Sequence, residues 1–379
     1  MLIDIHMLKS FPPTNLNRDE GGSPKTCFFG GTQRGRLSSQ SLKRPWRTSE
    51  YFADLPMGIR TQHLPKLVGE ALRAEGVEDA YIDIAMELVA KMGKGDKGQG
   101  ESEQEEDAGG GKPTSTAQIM FFSHADIQAV ADIVKASIDE AGSPKAFKKA
   151  KPADWSKALK EQKRGVSLDM ALVGRMITDA AFRDVEASMQ VAHAISTHTV
   201  AMESDFFTAV DDLKQYRADA GSAMMGDVDF NACCYYFYIS LDVDQLRRNV
   251  DSSPDVQAIL SRVLPLFLEA IAYTNPSGKQ NTFAGHSTPG LIMVERKERN
   301  IPVSYVNAFE IPVRGDRRTG LMRPSVEALS RFVDTFDESF ALPIAQRLWF
   351  CPAEESVMPA NASRVKTLMD LCGRVSDWI

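Results

Sequence analysis

The sequence has no C-x-x-C pair, and its five cysteines are an odd number, two of them adjacent at Cys233 and Cys234. This argues against both a cysteine zinc site and a disulfide framework. No stretch approaches the ~18 uninterrupted apolar residues of a membrane span. "MLIDIHMLKSF" at the start has an aspartate and a histidine where a signal peptide needs its apolar run. A cytoplasmic protein with no membrane association is the expectation. "GGGKPT" lacks two marks of a phosphate-binding P-loop: Glu106 stands where its first glycine belongs, and Pro113 replaces its Ser or Thr. No Ser/His/Asp or Cys/His arrangement and no carboxylate pair stands out. His193 and His198 do not have the i, i+4 spacing of a helical metal pair and read as structural. No enzyme, cofactor or metal is therefore expected.

One further absence is local. From Gly21 to Ser49 there is no acidic residue, although the chain as a whole carries 51 Asp+Glu against 44 Lys+Arg. Lys25, Arg34, Arg36, Lys43, Arg44 and Arg47 fall in that stretch. Screening confines exposed charges to about 8–10 Å, so a local basic cluster binds polyanions whatever the net charge of the whole. "RGRLSSQSLKR" adds Ser and Gln donors and a predicted helix N-terminus capped by Ser38 or Ser39, suited to phosphate. Pro45 is expected to end or kink that helix. An ordinary solvated loop would carry acids among its bases.

Periodicity suggests the rest. Residues 2–9 alternate as a strand, and "SFPPTNLNRDEGGSPK" has the turn formers of a loop. Helical spacing runs from Ile59 to Met92. A glycine-rich, then acidic stretch at about 93–115 has almost nothing apolar to bury and is expected to be disordered. "AQIMFF" reads as a strand, "HADIQAVADIVKASIDEAG" as a helix, and Lys145 to Arg164 as a solvated helical surface. "MESDFFTAVDDLKQ" reads as a loop entering a helical turn, and its Phe206 and Phe207 as either a small anchor or an exposed wedge for bases. "NACCYYFYISLDVDQL" has the aromatic alternation of a long strand. Ser253 and Pro254 open a predicted helix with a stripe from Val256 to Ile271. "LIMVERKER" and "VSYVNAFEIPV" read as strands, "PSVEALSRFVDTF" and "NASRVKTLMDLCGRVSDWI" as helices. The fold class is α+β. Its split β-α-β-β sheet has the ferredoxin-like or RNA-recognition order, interrupted by a helical insertion.

"NLNRDEGGSPKTCFFGGTQRGRLSSQSLKR", Asn15 to Arg44, resembles the N-terminal motif of the CasC-type backbone subunit of Cascade, the RNA-guided surveillance complex of type I-E CRISPR systems. "DMALVGRM", "VAHAISTH", "DFFTAVDDL", "GKQNTFA" and "VNAFE" follow in the family's order. The likeness is weak from about Asp54 to Arg164 and after about Phe340. The acidic insertion and Pro45 depart from the family's pattern.

The resemblance implies a hand-shaped chain. Its palm, a modified RNA-recognition fold, is made of residues 1–53, 189–199 and 231–379. Helical fingers span 54–188, and a thumb spans 200–230. It implies a subunit that binds crRNA, stacks head to tail with copies of itself and other Cascade subunits, and presents the guide to target DNA for antiviral defence. Arg18, Lys25, Ser38, Gln40, Lys43 and Arg44 would then hold the guide backbone. Arg175 and Met176 would lie near a displaced base, Lys279 and Gln280 on the palm, and Phe206 and Phe207 would be the thumb wedge. Arg34, Arg36 and Arg47 are added on charge alone. Two alternatives stay open. One is a type III-like backbone subunit that cuts target RNA, for which Asp19 is the tempting residue. The other is a free-standing single-strand RNA-binding module.

Overall fold

The first strand of the chain is buried on both sides. In the computed structural model, β1 (Leu2–Thr14) lies between two antiparallel neighbours, and every residue from Leu2 to Lys9 is buried. The structure describes residues 1–92, 115, 119–177, 181–209, 224–251, 256–353 and 357–378. The glycine-rich, acidic stretch, apart from Ser115, and the predicted cap Ser253–Pro254 lie outside the described residues, as do Asp211 and Asp212.

The other strands are β2 (Thr26–Phe29), β3 (Thr32–Leu37), β4 (Ile59–Thr61), β5 (Met120–Phe122), β6 (Met189–Val191), β7 (Ala194–Ser196) and β8 (Glu203–Ala209), then β9 (Met224–Asp242), β10 (Leu291–Lys297), β11 (Ile344–Phe350) and β12 (Ser363–Val365). The architecture is mixed α+β, with twelve α-helices among the described residues. Ten strands form one sheet, whose main path runs β12-β11-β10-β1-β9-β7-β3-β2; β6 and β8 pair with β9 off that path. β4 and β5 pair separately.

The chain divides into two units. One comprises Met1–Ala53, Gln190–Val243 and Leu260–Ile379; the other comprises Asp54–Met189 and Asp244–Ile259.

The first unit holds the large sheet. Tyr305, Phe309, Val326, Leu329 and Val333 cover its Leu8–Tyr236–Met293–Trp349 side, largely from helix Met322–Phe340. Helix Val256–Tyr273 is, by length and composition, apolar enough to cross a membrane. Within the first unit its Leu260, Val263, Leu264, Phe267, Leu268 and Ile271 are all buried. That places the apolar stripe in a protein core. The Trp46 ring meets Phe267 edge-on at 5.6 Å, which seats helix Ser39–Arg47 there.

The second unit is mainly helical. Leu64, Val68, Ile82, Phe122, Val130 and Trp155 share its core. Helix His124–Ala141 begins with a reciprocal capping box between Ser123 and Asp126.

Several local expectations need correction. β1 continues through Pro12 and Pro13 into the predicted loop, with its register shifting between Phe11 and Thr14 where the prolines offer no N–H. The basic segment contains a β-hairpin, β2–β3. Its two-residue turn, Gly30–Gly31, has φ of 58° and 75°, which glycine adopts freely. "DFFTA" is strand β8, paired with Met224–Phe230 of β9. From Glu203 to Thr208 its residues are exposed on both faces, so it shows no apolar alternation. "VNAF" is a 3₁₀ turn rather than a strand. Tyr305 and Phe309, four apart, are buried by that turn. Ile59–Thr61, read as helical, is β4. The last predicted helix is Leu368–Ser376 alone, preceded by β12.

Candidate nucleic-acid interface

The basic residues of the N-terminal segment have different surroundings. Helix Ser39–Arg47 buries Leu42 and Trp46. Gln40, Lys43, Arg44 and Arg47 recur at i, i+3, i+4 and i+7, one stripe on the face away from the core. The helix has no acid in its first turn, and Arg44 and Arg47 suit its C-terminal dipole. Pro45 neither ends it nor removes it, since Thr48 N–H still reaches Arg44 O at 3.1 Å. Ser38 is its N-cap, as expected, with Oγ accepting from Ser41 N–H at 3.3 Å. Ser38 N–H donates to Asn17 Oδ1 at 2.9 Å, which ties the helix to the loop carrying Arg18.

Arg36 on β3 donates to His193 Nδ1 at 2.9 Å. A guanidinium has no acceptor, so that nitrogen carries no proton. Burial, followed by the fields of Arg36, Lys25 and Lys43, pulls the His193 imidazole below its ordinary pKa. Three cations from β2–β3, the segment before them and the helix therefore converge on one exposed histidine. Its spacing from His198 does not single it out; its neighbours come from 150 residues away or more, and no local pattern reveals them.

Arg18 and Lys25 border one shallow pocket with Asp19, Glu20 and Gly21. Asp19 shapes that loop: its carboxylate accepts Ser23 N–H at 3.0 Å, and its own N–H donates to Ser23 O at 2.9 Å. Lys279 and Gln280 come to the same region. A Cβ on Gly278 would lie 2.3 Å from Leu16 O, so glycine permits that segment to press on the Asn15–Leu16 backbone. Gln280 Nε2 donates to Pro276 O at 2.9 Å.

The β8–β9 ribbon is anchored beside this loop. Asn15 Nδ2 donates to Gly22 O at 2.9 Å and to Asp229 O at 2.8 Å. Phe230 lies 5.7 Å from Phe283, centroid to centroid. Farther out, Phe206 is 62% exposed and Phe207 38%, the latter with its ring over Gly226.

Two arginines are buried in polar contacts, and for Arg34 this corrects the reading made on charge alone. Arg34 is completely buried. Its Nη1 donates to Ser196 O at 2.9 Å, its Nη2 to Phe309 O at 2.8 Å and Glu310 O at 3.1 Å, and its Nε to Thr32 Oγ1 at 2.9 Å. With its donors so engaged, it clamps the hairpin to the "VNAFE" turn and cannot hold a phosphate. Arg34→Ala is expected to lower stability by about 3 kcal/mol, because buried carbonyls lose their donors, and to leave the salt dependence of any polyanion binding unchanged. Denaturant unfolding and a salt titration check the two parts. Arg175, in the second unit, is likewise buried, with Nη1 2.6 Å from Asp126 Oδ2 and further bonds to the carbonyls of Phe121 and Arg183. Its neighbour Met176 is 95% exposed.

Among the described residues, one cluster has metal-ligand composition: Asp4, His6 and Glu295, all buried. Lys297 Nζ already lies 2.6 Å from Asp4 and 3.3 Å from Glu295. An ammonium occupies the cation's place, so the donor set does not suit a divalent ion.

The model of the CT1975-like protein family matches residues 3–374. A chain of a pre-nicking CRISPR RNA-guided surveillance complex is 28% identical at a TM-score of 0.82, with 100% of each chain covered. A chain of another CRISPR RNA-guided surveillance complex superposes at 0.73 with 22% identity, again over 100% of each, and that likeness is one of fold. No curated protein matches the sequence. A family match that runs from β1 into the last helix leaves one conclusion: the chain belongs to the CT1975-like family of CRISPR-associated proteins.

Proposed function

We propose that this chain is the crRNA-binding backbone subunit of a Cascade-type surveillance complex, of type I-E. In this role the large sheet serves as the RNA-recognition-like palm, the second unit as fingers, and the β8–β9 ribbon as thumb. Copies stack head to tail on the guide, with other Cascade subunits, and leave its bases free to pair with target DNA. The subunit binds without cutting and works in the cytoplasm.

The observation that carries this is the acid-poor face of the first unit. Lys25, Arg36 and Lys43 surround His193, and Gln40, Lys43, Arg44 and Arg47 line one helix stripe. Such a face holds phosphates and sugars and is indifferent to base identity, which suits a complex that delegates sequence reading to pairing. Its resemblance to the chain of the pre-nicking complex over full length supports the assignment.

The test is Lys43→Ala with Arg44→Ala. Guide RNA binding weakens alike for all guide sequences, and the slope of log affinity against log salt falls by about 0.7 for each phosphate that the variant no longer neutralises. An unchanged slope, or a weakening confined to particular guides, contradicts the assignment. A cutting subunit would show metal-dependent RNA cleavage by the assembled complex, with Asp19 needed. The Asp19 carboxylate instead accepts a backbone N–H within its own turn.

A further inference from the structure

A second basic element lies outside the face just described. "RGDRRTG", Arg314 to Gly320, places three exposed arginines within five positions: Arg314, Arg317 and Arg318. None of their side chains has an ion-pair or hydrogen-bond partner among the described residues. The one acid in the loop, itself exposed, is bonded within the turn. Asp316 Oδ1 accepts Arg318 N–H and Thr319 N–H, each at 2.8 Å, and the Thr319 hydroxyl at 2.9 Å. Those backbone donors hold its carboxyl below the usual range, so it stays charged and engaged with the backbone.

The loop is closed tightly. Gly320 N–H donates to Asp316 O at 3.0 Å, and a Cβ on Gly315 would lie 2.2 Å from Gly320 O. Its foot is fixed to the basic hairpin. Val313 N–H donates to Thr197 O at 2.9 Å. Glu310 O takes Arg34 Nη2, and Gly30 of the hairpin turn packs on the same carbonyl. Arg314 is four residues from Glu310, hence within about 14 Å of it. The foot of the loop is thus at the turn end of the hairpin, and Arg36 is at the other end of β3.

Arginine forks match phosphate oxygens in pairs, and a pre-formed turn loses little freedom on binding. The loop from Arg314 to Gly320 has no apolar side chain, whereas a protein-docking core is built on aromatic or aliphatic anchors.

We propose that Arg314, Arg317 and Arg318 form a second phosphate-binding site, which holds a nucleic-acid backbone at the turn end of the basic hairpin. This rests on the nucleic-acid role given above. The shared chemistry is the phosphodiester, from the guide RNA or from the DNA paired with it.

The test uses the full chain with Arg314→Gln, Arg317→Gln and Arg318→Gln together. Binding is followed over a salt series with two probes: a guide RNA added to the subunit, and complementary DNA added to the guide-loaded complex. The expected result is a slope shallower by about 2 with one probe, at about 0.7 per phosphate, and an unchanged melting temperature. A change with RNA assigns the site to the guide, and a change with DNA alone assigns it to the target. Arg→Lys at the three positions keeps the slope, because charge is retained. If both slopes are unchanged while Lys43→Ala with Arg44→Ala still flattens its own, the loop is not a phosphate site. Failure of copies to associate, with RNA affinity intact, makes it a protein-docking surface and overturns the proposal. If neither set of substitutions changes a slope, the role in nucleic-acid binding fails with it.

Discussion

Arg347→Met lowers the stability of the first unit by about 3–5 kcal/mol, and adding Glu295→Gln restores part of the loss. The reason is a row of buried charges across three strands. Asp4 on β1 is opposite Glu295 on β10, and Glu295 is opposite Arg347 on β11. Arg347 Nε donates to Glu295 at 2.7 Å, and its two terminal nitrogens reach Asp337 at 2.6 and 3.0 Å. The Tyr305 hydroxyl donates to Glu295 at 3.1 Å, and Lys297 lies between Glu295 and Asp4. Methionine fills most of the arginine's volume but leaves Glu295 and Asp337 without their main donor. Neutralising Glu295 removes the worse of the two orphaned charges. A variant no less stable than the parent would mean that the row contributes nothing to stability.

The same row gives stability an acid limb. Burial alone would raise the Glu295 pKa, but His6, Arg347 and Lys297 outweigh it and hold the carboxyl well below its ordinary range. A folded-state pKa below the unfolded one contributes stability that is present above the unfolded value, near 4.5, and is lost as pH falls through the folded one. Glu295→Gln therefore flattens the decline of the denaturant midpoint below about pH 5, whatever it does at neutrality. The row also sets register. A one-residue slip of β11 would carry Arg347 to the opposite face of the sheet and set Gln346 or Leu348, neither of them a cation, opposite Glu295.

What the sequence reveals follows how locally each feature is determined. The acid-free stretch and the helix stripe depend on neighbours a few positions apart, so composition and spacing find them. Arg34 and Arg36 sit two residues apart on one strand, both basic, in the same motif. One is sealed under carbonyls from residues 196, 309 and 310, and the other meets His193 at the surface. Nothing within the motif separates them, because long-range strand pairing decides the outcome. β11 is hidden for a related reason: Arg347 interrupts its apolar pattern, and a buried arginine is legible only once Glu295 and Asp337 are beside it. The arginine loop has ordinary surface composition; only the turn shows that its aspartate is engaged with the backbone.

Phe206→Ala with Phe207→Ala leaves the melting temperature of the isolated subunit unchanged and weakens complementary DNA binding by the assembled complex ten-fold or more. The first half follows from exposure. Both rings are on a ribbon whose faces meet solvent from Glu203 to Thr208, and Phe207 has a partial seat over Gly226, so truncation opens no core cavity. The second half follows from charge. Glu203, Asp205, Asp227 and Asp229 stand around the rings on the two paired strands, which makes the ribbon a poor phosphate binder. Any nucleic-acid contact there must come from the aromatic faces, at about 1–3 kcal/mol per stacked base. Each 1.4 kcal/mol is about a factor of ten, and in the proposed head-to-tail stack the ribbon would recur in every copy. Adjacent strand residues point to opposite faces, so the two rings cannot both insert at one step. The more exposed Phe206 is the expected wedge, and Phe206→Ala alone reproduces most of the effect while Phe207→Ala gives less. Guide RNA binding persists in all three variants, because the basic face is untouched. A large fall in melting temperature, with normal target affinity in the fraction that assembles, would show the rings to be a packing anchor instead.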